Sequence, residues 1–366
     1  MKLTIQREDL LRPLQITSSV VERRHTLPVL SNVLLSLRNN HLQLTGTDLE
    51  VEINARIPIE NAEEGEITLP ARKFLDICKA LPEGASLELK VEDGKALIRS
   101  GRSRFSLSTL PANEFPNIEP ITSPLEITLS QKDLRNLIDR TQFSMAQQDV
   151  RYYLNGLMLE FAPDHLRAVA TDGHRLAKCD AGISLPVGET RQIIVPRKGV
   201  AELSRLLDDS DTTIRINLGD NHITIDLPDV TFTSKLIDGK FPDYQQVIPQ
   251  NPDKILTCSR QALHESFARA SVLSNEKYRG MRLQLEGDQL RATVHNPEQE
   301  EAVEEMQVDY QGEPFEIGFN VSYFIDALAA IDSDQVRVKF TDPNHSCLVE
   351  GADQDACQYV IMPMRL

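Results

Sequence analysis

Three copies of one pattern run along this chain, and this internal repeat limits its possible folds more than any other feature. Leu42, Leu166 and Leu290 occupy matching contexts and follow one another at intervals of 124 residues. An apolar, strand-like segment precedes each leucine, and a Thr-Asp, Thr-Asp or His-Asn pair follows each at the same distance. A copy of this length can close its own hydrophobic core. The sequence therefore predicts three related domains in tandem.

Within each copy the pattern is strand, helix, several strands, helix, several strands, which favours an α+β fold dominated by antiparallel sheet. The clearest helix lies in the second copy. Ser130 with Asp133 three residues later is an N-cap pattern, and Leu134, Leu137 and Ile138 then recur at helical spacing. The domains are expected at 1–124, 125–250 and 251–366, with boundaries in the proline-rich stretches 116–124 and 249–253.

Charge is distributed unevenly over the three copies. The formal net charge is −16, and the third copy holds most of the excess, including the acidic run 298–305. The first copy holds a basic cluster of Lys95, Arg99, Arg102 and Arg104. Such runs are usually solvated surface. The alternative is that the third copy of one chain meets the first copy of another, with complementary charge steering the contact.

Such a contact would also need an apolar part. Phe105 and Leu107 share one face of a period-two strand, and we expect them to face Val272 and Leu273 of another chain. Repeats joined head to tail form a ring when the rotation closes. Two chains with two such contacts would place six units in a circle.

Cysteine usage and the chain start bear on the compartment. The five cysteines are an odd number and widely spread, so we expect reduced, mostly buried thiols and no disulfide scaffold. The first residues lack the apolar core of a signal peptide, and nothing approaches the ~20 consecutive apolar residues of a membrane helix. The sequence therefore predicts a cytoplasmic protein with no membrane partner.

The sequence contains none of the common catalytic motifs: no dinucleotide-binding glycine loop, P-loop, zinc-protease helix or nucleophile elbow. Cys347 and Cys357 have no nearby histidine pair that would complete a zinc site. His174 most resembles a catalytic side chain, but a lone histidine is more often structural or exposed. We therefore expect no enzyme, no cofactor and no metal.

Several longer strings resemble the bacterial β sliding clamp family, the beta subunits of DNA polymerase III. The resemblance covers the full chain. It is carried by the segments 44–50, 70–74, 100–111, 148–156, 170–176, 296–301 and 362–366.

The resemblance implies the DNA-clamp fold, with three tandem domains of two helices packed on antiparallel sheets, dimerising head to tail into a six-domain ring. Such a ring encircles duplex DNA, slides on it and gives the replicative polymerase its processivity. The implied partners are a second copy of the chain, duplex DNA, the clamp-loader complex, the DNA polymerase III alpha subunit, and other polymerases and repair proteins with clamp-binding peptides. A threaded ring need not grip phosphate strongly, which reconciles the acidic composition with a DNA partner.

The same resemblance implies three sets of site residues. The DNA-contacting candidates are Arg24, Arg72, Gln148, Tyr152, Tyr153, Arg197 and Lys198. The peptide-pocket candidates are Leu154, Thr171, Gly173, His174, Arg175, Leu176, Pro242, Val247, Asn320, Tyr323, Ser346, Val360, Ile361, Met362, Pro363, Met364 and Arg365. The dimer-interface candidates are Lys73, Lys95, Arg102, Arg104, Phe105, Leu107, Val272, Leu273, Glu298, Glu300, Glu301 and Glu304.

Some alternatives stay open at this point. Arg72 and Lys73 could be simple helix-terminus charges, and Lys73 could instead pair with Glu298 across an interface. The run Val360–Met362 alone would suit a terminal core strand, and Gln246 departs from the family pattern, in which a basic residue is common there. A nuclease with a Mg²⁺-binding carboxylate cluster and a monomeric scaffold protein are the competing functions.

Overall fold

The elements of each repeat follow the order expected from its sequence. The structure, a computed structural model, describes residues 1–22, 27–119, 121, 125–353 and 356–365. The first repeat contains β1 (Lys2–Gln6), α1 (Arg7–Ser19), β2 (Asn32–Arg38), β3 (His41–Thr47), β4 (Val51–Pro58), β5 (Gly65–Pro70), α2 (Ala71–Ala80), β6 (Ser86–Glu92), β7 (Lys95–Ser100) and β8 (Ser103–Ser108).

The second and third repeats have the same order, with one short extra strand in the third. The second contains β9 (Leu125–Ser130), α3 (Gln131–Asp139), β10 (Gly156–Ala162), β11 (His165–Thr171), β12 (Arg175–Ala181), β13 (Arg191–Pro196), α4 (Arg197–Leu206), β14 (Thr213–Leu218), β15 (His222–Asp226) and β16 (Val230–Lys235). The third contains β17 (Lys254–Ser259), α5 (Arg260–Ser271), β18 (Gly280–Glu286), β19 (Gln289–His295), β20 (Glu301–Gln307), β21 (Asp309–Tyr310), β22 (Phe315–Asn320), α6 (Val321–Ala330), β23 (Gln335–Phe340), β24 (Cys347–Gly351) and β25 (Cys357–Ile361).

The chain forms two compact units that do not coincide with the repeats. The first unit comprises Met1–Lys132 and Ala201–Leu236, and the second comprises Asp133–Val200 and Ile237–Leu366. The reason is visible in the sheets, because strands of consecutive repeats pair with one another. The α+β class and the repeated pattern of two helices with antiparallel sheet are confirmed.

The first unit is built on an eight-stranded sheet of order β5-β2-β3-β4-β16-β15-β14-β9 and a four-stranded sheet of order β1-β6-β7-β8. In the larger sheet β4 of the first repeat pairs antiparallel with β16 of the second, from Val51 opposite Ser234 to Ala55 opposite Val230. We call this pairing the first seam. Leu10 and Leu14 of α1 and Phe74 of α2 pack into the core of this unit.

The second unit repeats this arrangement. Its nine-stranded sheet has the order β13-β10-β11-β12-β25-β24-β23-β17-β21, and its four-stranded sheet has the order β20-β19-β18-β22. Here β12 of the second repeat pairs antiparallel with β25 of the third, from Arg175 opposite Ile361 to Cys179 opposite Cys357. We call this pairing the second seam. Phe324 of α6 makes edge-to-face contacts with Phe267 of α5 at 5.5 Å and with Phe319 at 5.1 Å.

Helix α3 confirms the periodicity seen in the sequence. It begins at Gln131, directly after the predicted cap position. Its apolar stripe of Leu134, Leu137 and Ile138 is almost completely buried. None of the helices in the described part of the chain has the length and apolar character needed to cross a membrane.

The expectation of reduced thiols is wrong for one pair of cysteines. Cys179 and Cys357 form a disulfide because the register of the second seam places them directly opposite one another. Their separation of 178 residues in sequence hides this juxtaposition. The other three cysteines are free and buried, and burial raises the pKa of Cys78 and of Cys258 to about 12.

Close packing of α1 on β3 depends on a glycine. A Cβ atom on Gly46 would lie 1.9 Å from the backbone oxygen of Thr17 in α1. We expect Gly46→Ala to lower the free energy of unfolding by about 3 kcal/mol, because a backbone oxygen cannot move aside as a flexible side chain can. Urea unfolding measures this. Gly182→Ala, where the added Cβ has no neighbour within 4 Å, is the control, and equal stability of the two variants would contradict the packing argument.

Candidate functional site

A cavity of about 200 Å³ lies in the second unit, where the second seam ends. The strands of the seam supply its floor, and the segment that follows Phe241 supplies one wall. It is lined by Arg151, Tyr153, Leu154, Thr171, Gly173, Arg175, Leu176, Pro242, Asp243, Tyr244, Val247, Val360 and Met362. We call this cavity the seam pocket.

The floor of the seam pocket is apolar because of the cross-strand register. Val360 of β25 lies opposite Leu176 of β12 on one side and Leu348 of β24 on the other. All three side chains belong to one buried cluster, which Leu154 and Tyr244 complete. Apolar side chains of a ligand would gain hydrophobic burial on this floor.

A tight turn between β11 and β12 shapes the rim. The Thr171 hydroxyl accepts a hydrogen bond from the Gly173 amide at 3.1 Å and donates one to the Arg175 carbonyl at 2.6 Å. The Asp172 carboxylate accepts bonds from the amides of His174 and Arg175 at 2.9 and 3.0 Å. Gly173 has a φ of 87°, in the left-handed region that favours glycine. The turn therefore presents its backbone to the pocket without a side chain.

Arg175 fixes one side of the rim. Its guanidinium donates to the Phe143 carbonyl at 2.8 Å and pairs with Asp172 at 3.2 Å and with Asp326. It also lies 4.6 Å from the centre of the Tyr323 ring. These contacts hold the half-buried cation beside the apolar floor, where it can bind a polar group of a ligand.

Arg167 holds the opposite wall. Its guanidinium donates to the Tyr244 hydroxyl at 2.8 Å, to Glu160 at 3.0 Å and to both carboxylate oxygens of Asp180 at 2.6 and 3.1 Å. Burial of Asp180 opposes its charged form, but hydrogen bonds from Arg167 and Lys178 outweigh burial and hold the pKa of this carboxyl below its usual value. The charged network thereby positions an aromatic wall of the pocket.

Nine of the predicted peptide-pocket residues line the seam pocket. They are Leu154, Thr171, Gly173, Arg175, Leu176, Pro242, Val247, Val360 and Met362. Sequence reasoning missed Arg151, Asp243 and Tyr244, although the last two directly follow Pro242 and could have been included on that ground. Tyr153, which was assigned to DNA contact, lies in the pocket wall.

The other predicted pocket residues lie outside this cavity. His174 and Tyr323 line a neighbouring cavity of about 470 Å³. The Asn320 side chain caps α6 by accepting from the Ser322 amide at 2.9 Å, and Ser346 donates to the Val247 carbonyl at 3.0 Å. Ile361 is completely buried and, by strand alternation, points away from Val360. Pro363, Met364 and Arg365 follow the last strand and do not line the cavity.

The DNA-contact candidates fall in separate places. Gln148 and Arg197 line the same 470 Å³ cavity as His174, and Tyr152 is 57% exposed with its ring 5.8 Å from that of Tyr153. Arg72 is exposed on α2, and Lys198 is half-buried at the start of α4. Arg24 lies outside the described residues.

Five of the dimer-interface candidates, Arg104, Phe105, Leu107, Glu301 and Glu304, lie on two edge strands, β8 and β20. Among the described residues, β8 ladders only with β7, and β20 only with β19. Arg104 is exposed and Phe105 half-buried on β8, but Leu107 is only 8% exposed and belongs to the core of the first unit. Leu107 therefore contributes to the core of the first unit, and its assignment to an interface beside Phe105 stays a prediction.

The remaining interface candidates are mostly exposed. Val272, just after α5, is 77% exposed, and Leu273 is half-buried. Glu304 pairs with Arg269 of its own chain at 2.6 Å. The other charged members are exposed, namely Lys73, Lys95, Arg102, Glu298, Glu300 and Glu301. Within the described ranges, no group of three or more histidine, cysteine, aspartate or glutamate side chains is placed to hold a metal ion.

The lowered pKa values of Glu160 and Asp180 in the Arg167 network predict that the stability of the fold depends on pH. We expect Arg167→Met to lower the free energy of unfolding by about 3 kcal/mol at pH 7, because the buried Glu160 and the half-buried Asp180 lose their cation. Carboxyls with a lowered pKa stabilise the fold above their ordinary pKa, and this contribution disappears as the pH falls through the lowered value. Urea unfolding from pH 7 downward should therefore show the gap between wild type and variant closing.

Arg215→Met provides the control for this substitution, because the pair of Arg215 with Glu126 is exposed and 3.8 Å apart. Its removal should change stability by no more than about 0.5 kcal/mol. A constant gap between wild type and Arg167→Met across the acid range would show that the network does not stabilise the fold through these carboxyls.

Comparison with known proteins identifies the family. Models of the N-terminal, central and C-terminal domains of the DNA polymerase III beta subunit match residues 1–119, 128–243 and 245–365. The chain is 56% identical to the beta sliding clamp of Pseudomonas putida and 52% identical to that of Escherichia coli K12, in both cases over the whole of both chains.

Solved structures agree with this result. A sliding clamp from Pseudomonas aeruginosa bound to griselimycin superposes with a TM-score of 0.97 at 56% identity, and the Caulobacter crescentus beta subunit superposes with 0.94 at 39%. Both comparisons cover all of this chain and all of the other. The chain therefore belongs to the DNA polymerase III beta subunit family, the bacterial sliding clamps.

Proposed function

We propose that two copies of this chain close into a ring around duplex DNA, slide on it, and tether the replicative polymerase through the seam pocket. The protein itself catalyses no reaction in this proposal. A clamp-loader complex opens and places the ring, and other polymerases and repair proteins with clamp-binding peptides share the pocket. The domains are those expected from the repeat, at 1–124, 125–250 and 251–366.

The observation that carries this proposal is the pattern of the seams. In both seams the fourth strand of one repeat pairs with the last strand of the next. The third repeat has such a fourth strand, β20, and the first has such a last strand, β8. A β8 edge and a β20 edge left without a neighbour are open templates for strand pairing. Pairing β20 with β8 of a second copy, twice, continues the same pattern until the fourth strand of every repeat has a partner.

We call the proposed pairing of β20 with β8 of a second copy the third seam. The strand ladders on either side of it support one particular register. Lys95 pairs with Ser108 in the β7–β8 hairpin as His222 pairs with Lys235 in the β15–β16 hairpin. Phe105 therefore corresponds to Phe232, which lies opposite Ile53 in the first seam.

The other strand of the third seam, β20, is aligned in the same way. His295 of β19 pairs with Glu301 of β20 as Thr47 of β3 pairs with Glu52 of β4. Ala302 therefore corresponds to Ile53. The proposed register follows directly: Phe105 faces the partner subunit's Ala302, and Ser103 faces the partner subunit's Glu304.

Charge and apolar exposure favour this pairing. The exposed Arg104 lies on β8, and the exposed Lys95 lies at the start of the neighbouring strand β7. The exposed Glu301 begins β20, and the exposed Glu300 directly precedes it. Opposite charges steer two such edges together and oppose pairing of like edges. Val272, at 77% exposure, supplies apolar surface beside the acidic edge.

The proposed relation to DNA is topological. A chain with a net charge of −16 is poorly suited to strong, nonspecific phosphate binding. A closed ring needs only weak contacts, which Arg72, Arg197, Gln148 and Tyr152 could make without hindering movement along the duplex.

The proposed peptide site is the seam pocket. Its apolar floor suits leucine-like or aromatic side chains, and Arg175 suits a polar or acidic group beside them. Methionine at one edge adds an adaptable surface, which suits a site shared by several partners.

A pair of engineered cysteines tests the ring and its register. We expect Ser103→Cys combined with Glu304→Cys to cross-link two chains at both contacts, because Cys179 and Cys357 occupy the equivalent positions of the second seam. After loading onto a nicked circular plasmid with the clamp loader and oxidation, the cross-linked protein should remain on the circle in high salt. It should leave when the plasmid is linearised.

The control shifts the register by one residue. Ser103→Cys combined with Val303→Cys places the two side chains on opposite faces of the proposed sheet, so we expect little cross-linking. Equal cross-linking of both pairs would contradict the register. Loss of the protein from closed circles in high salt, with cross-links intact, would contradict threading.

A charge in the seam pocket tests the peptide site. We expect Met362→Glu to weaken griselimycin binding about tenfold or more, because the new carboxylate would be desolvated on an apolar floor. Calorimetric titration measures this, and retention on circular DNA should be unaffected. Ile255→Glu, at a side chain that is 43% exposed elsewhere in the same unit, is the control. Unchanged affinity of Met362→Glu would place the griselimycin site elsewhere.

A further inference from the structure

The first unit contains a cavity that corresponds, repeat for repeat, to the seam pocket. We call it the first cleft. Its volume is about 240 Å³, slightly more than that of the seam pocket. It is lined by Thr47, Leu49, Pro116, Asn117, Ile118, Glu119, His222 and Lys235. The two cavities therefore do not differ much in volume. Any difference in the ligands that they bind must come from the residues that line and surround them.

The rim turns of the two cavities have the same hydrogen bonds. In the first cleft the Thr47 hydroxyl accepts from the Leu49 amide at 3.1 Å and donates to the Val51 carbonyl at 2.9 Å. The Asp48 carboxylate accepts from the amides of Glu50 and Val51. These are the bonds that Thr171 and Asp172 make in the seam pocket. The turn is therefore one structure used twice.

One position of this turn differs in a way that matters for a ligand. Leu49 has a φ of 79°, close to the 87° of Gly173. A leucine in the left-handed region is strained, so the surrounding packing must hold it there. The Leu49 side chain packs on the cluster of Val29, Leu30 and Phe115. Leu30 corresponds to Leu154, which lines the seam pocket, so Leu49 covers the apolar surface that the seam pocket leaves open.

The strand positions behind the two rim turns differ in polarity. At the positions of the first seam that correspond to the seam-pocket floor, Thr233 lies opposite Glu52 and opposite Thr224, as Val360 lies opposite Leu176 and Leu348 in the second unit. These three polar residues lie behind the first cleft in the register and do not line it. The two threonine hydroxyls are 3.2 Å apart and share a hydrogen bond. An apolar side chain bound against these positions would desolvate hydroxyls and a carboxylate rather than bury apolar surface.

Glu52 also fastens the segment above it. Its carboxylate accepts from the Ile118 amide at 3.3 Å and from the Asn54 side chain at 2.9 Å. Glu52 is only 8% exposed, and this burial raises the pKa of its carboxyl. The leucine at the equivalent position of the seam pocket cannot make such a bond to the segment after Pro242.

We infer that four repeat-equivalent positions restrict each chain to one apolar-peptide site, by closing the first cleft to the ligands that the seam pocket accepts. At these positions the first unit has Leu49, which lines the first cleft, with Glu52, Thr224 and Thr233 in the adjoining strands. The second unit has Gly173, Leu176, Leu348 and Val360 at the same positions. This inference rests on the proposed peptide-binding role of the seam pocket and adds the residues that make it selective over its repeat-related counterpart.

Calorimetric titration of the full-length protein with griselimycin tests the inference. We expect one griselimycin per wild-type chain. Gly173→Leu copies the closed turn into the seam pocket and should weaken binding about tenfold or more. Gly287→Leu is the matched control, since Gly287 has a φ of 60°, has open space around its Cβ position and does not line the pocket. It should bind as wild type does.

The reverse exchange should open the first cleft. We expect Leu49→Gly, Glu52→Leu, Thr224→Leu and Thr233→Val, combined in one chain, to add a second griselimycin site that remains when Gly173→Leu is also present. Two sites on the wild-type chain, or wild-type affinity of Gly173→Leu, would overturn the inference whether or not the fourfold variant folds. A folded fourfold variant with a single site would overturn it too. An absence of binding to the wild-type chain would instead overturn the proposed pocket itself, and the inference with it.

Discussion

Backbone hydrogen bonds between strands of consecutive repeats are the interaction on which the rest of this structure depends. A strand at the edge of a sheet carries unpaired amide and carbonyl groups, and β4 and β12 satisfy theirs by pairing with β16 and β25 of the next repeat. These seams make each large sheet continuous across a repeat boundary. They also explain why the compact units of the chain are not its repeats.

The seam pocket is a product of the second seam. Leu176 and Val360 come from different repeats, and only the β12–β25 register brings them side by side on one buried face. Polar groups then fix the walls: Arg175 anchors the rim turn and Arg167 holds Tyr244. An apolar site framed by immobile charges combines hydrophobic affinity with orientation of the ligand.

The two related cavities share the backbone of their rim turns but differ in the polarity of the side chains nearby. The Thr-Asp turn is local, and its hydrogen bonds form wherever the Thr-Asp pair precedes the fourth strand. The side chains across the seam are not local. They decide whether the strand positions behind the turn are apolar, as in the second unit, or polar and hydrogen-bonded to one another, as in the first.

Much of the architecture could be predicted from the sequence, because local periodicity and internal repetition are sequence properties. The α3 stripe of Leu134, Leu137 and Ile138, the α+β class and the threefold repeat all follow from spacing alone. The resemblance to sliding clamps supplied nine of the thirteen residues that line the seam pocket. Residues near known motif positions, such as Tyr244, were within reach of the same reasoning.

Other features depended on contacts between distant segments, which spacing does not encode. The Cys179–Cys357 disulfide, the inward orientation of Leu107 and the separation of Ile361 from the pocket all follow from strand register. A shift of one residue in pairing turns every side chain to the opposite face. The sequence by itself determined the repeated unit and its local turns. Only the tertiary structure decided which strands meet across the repeats, because backbone hydrogen bonds carry no record of which residues donate them.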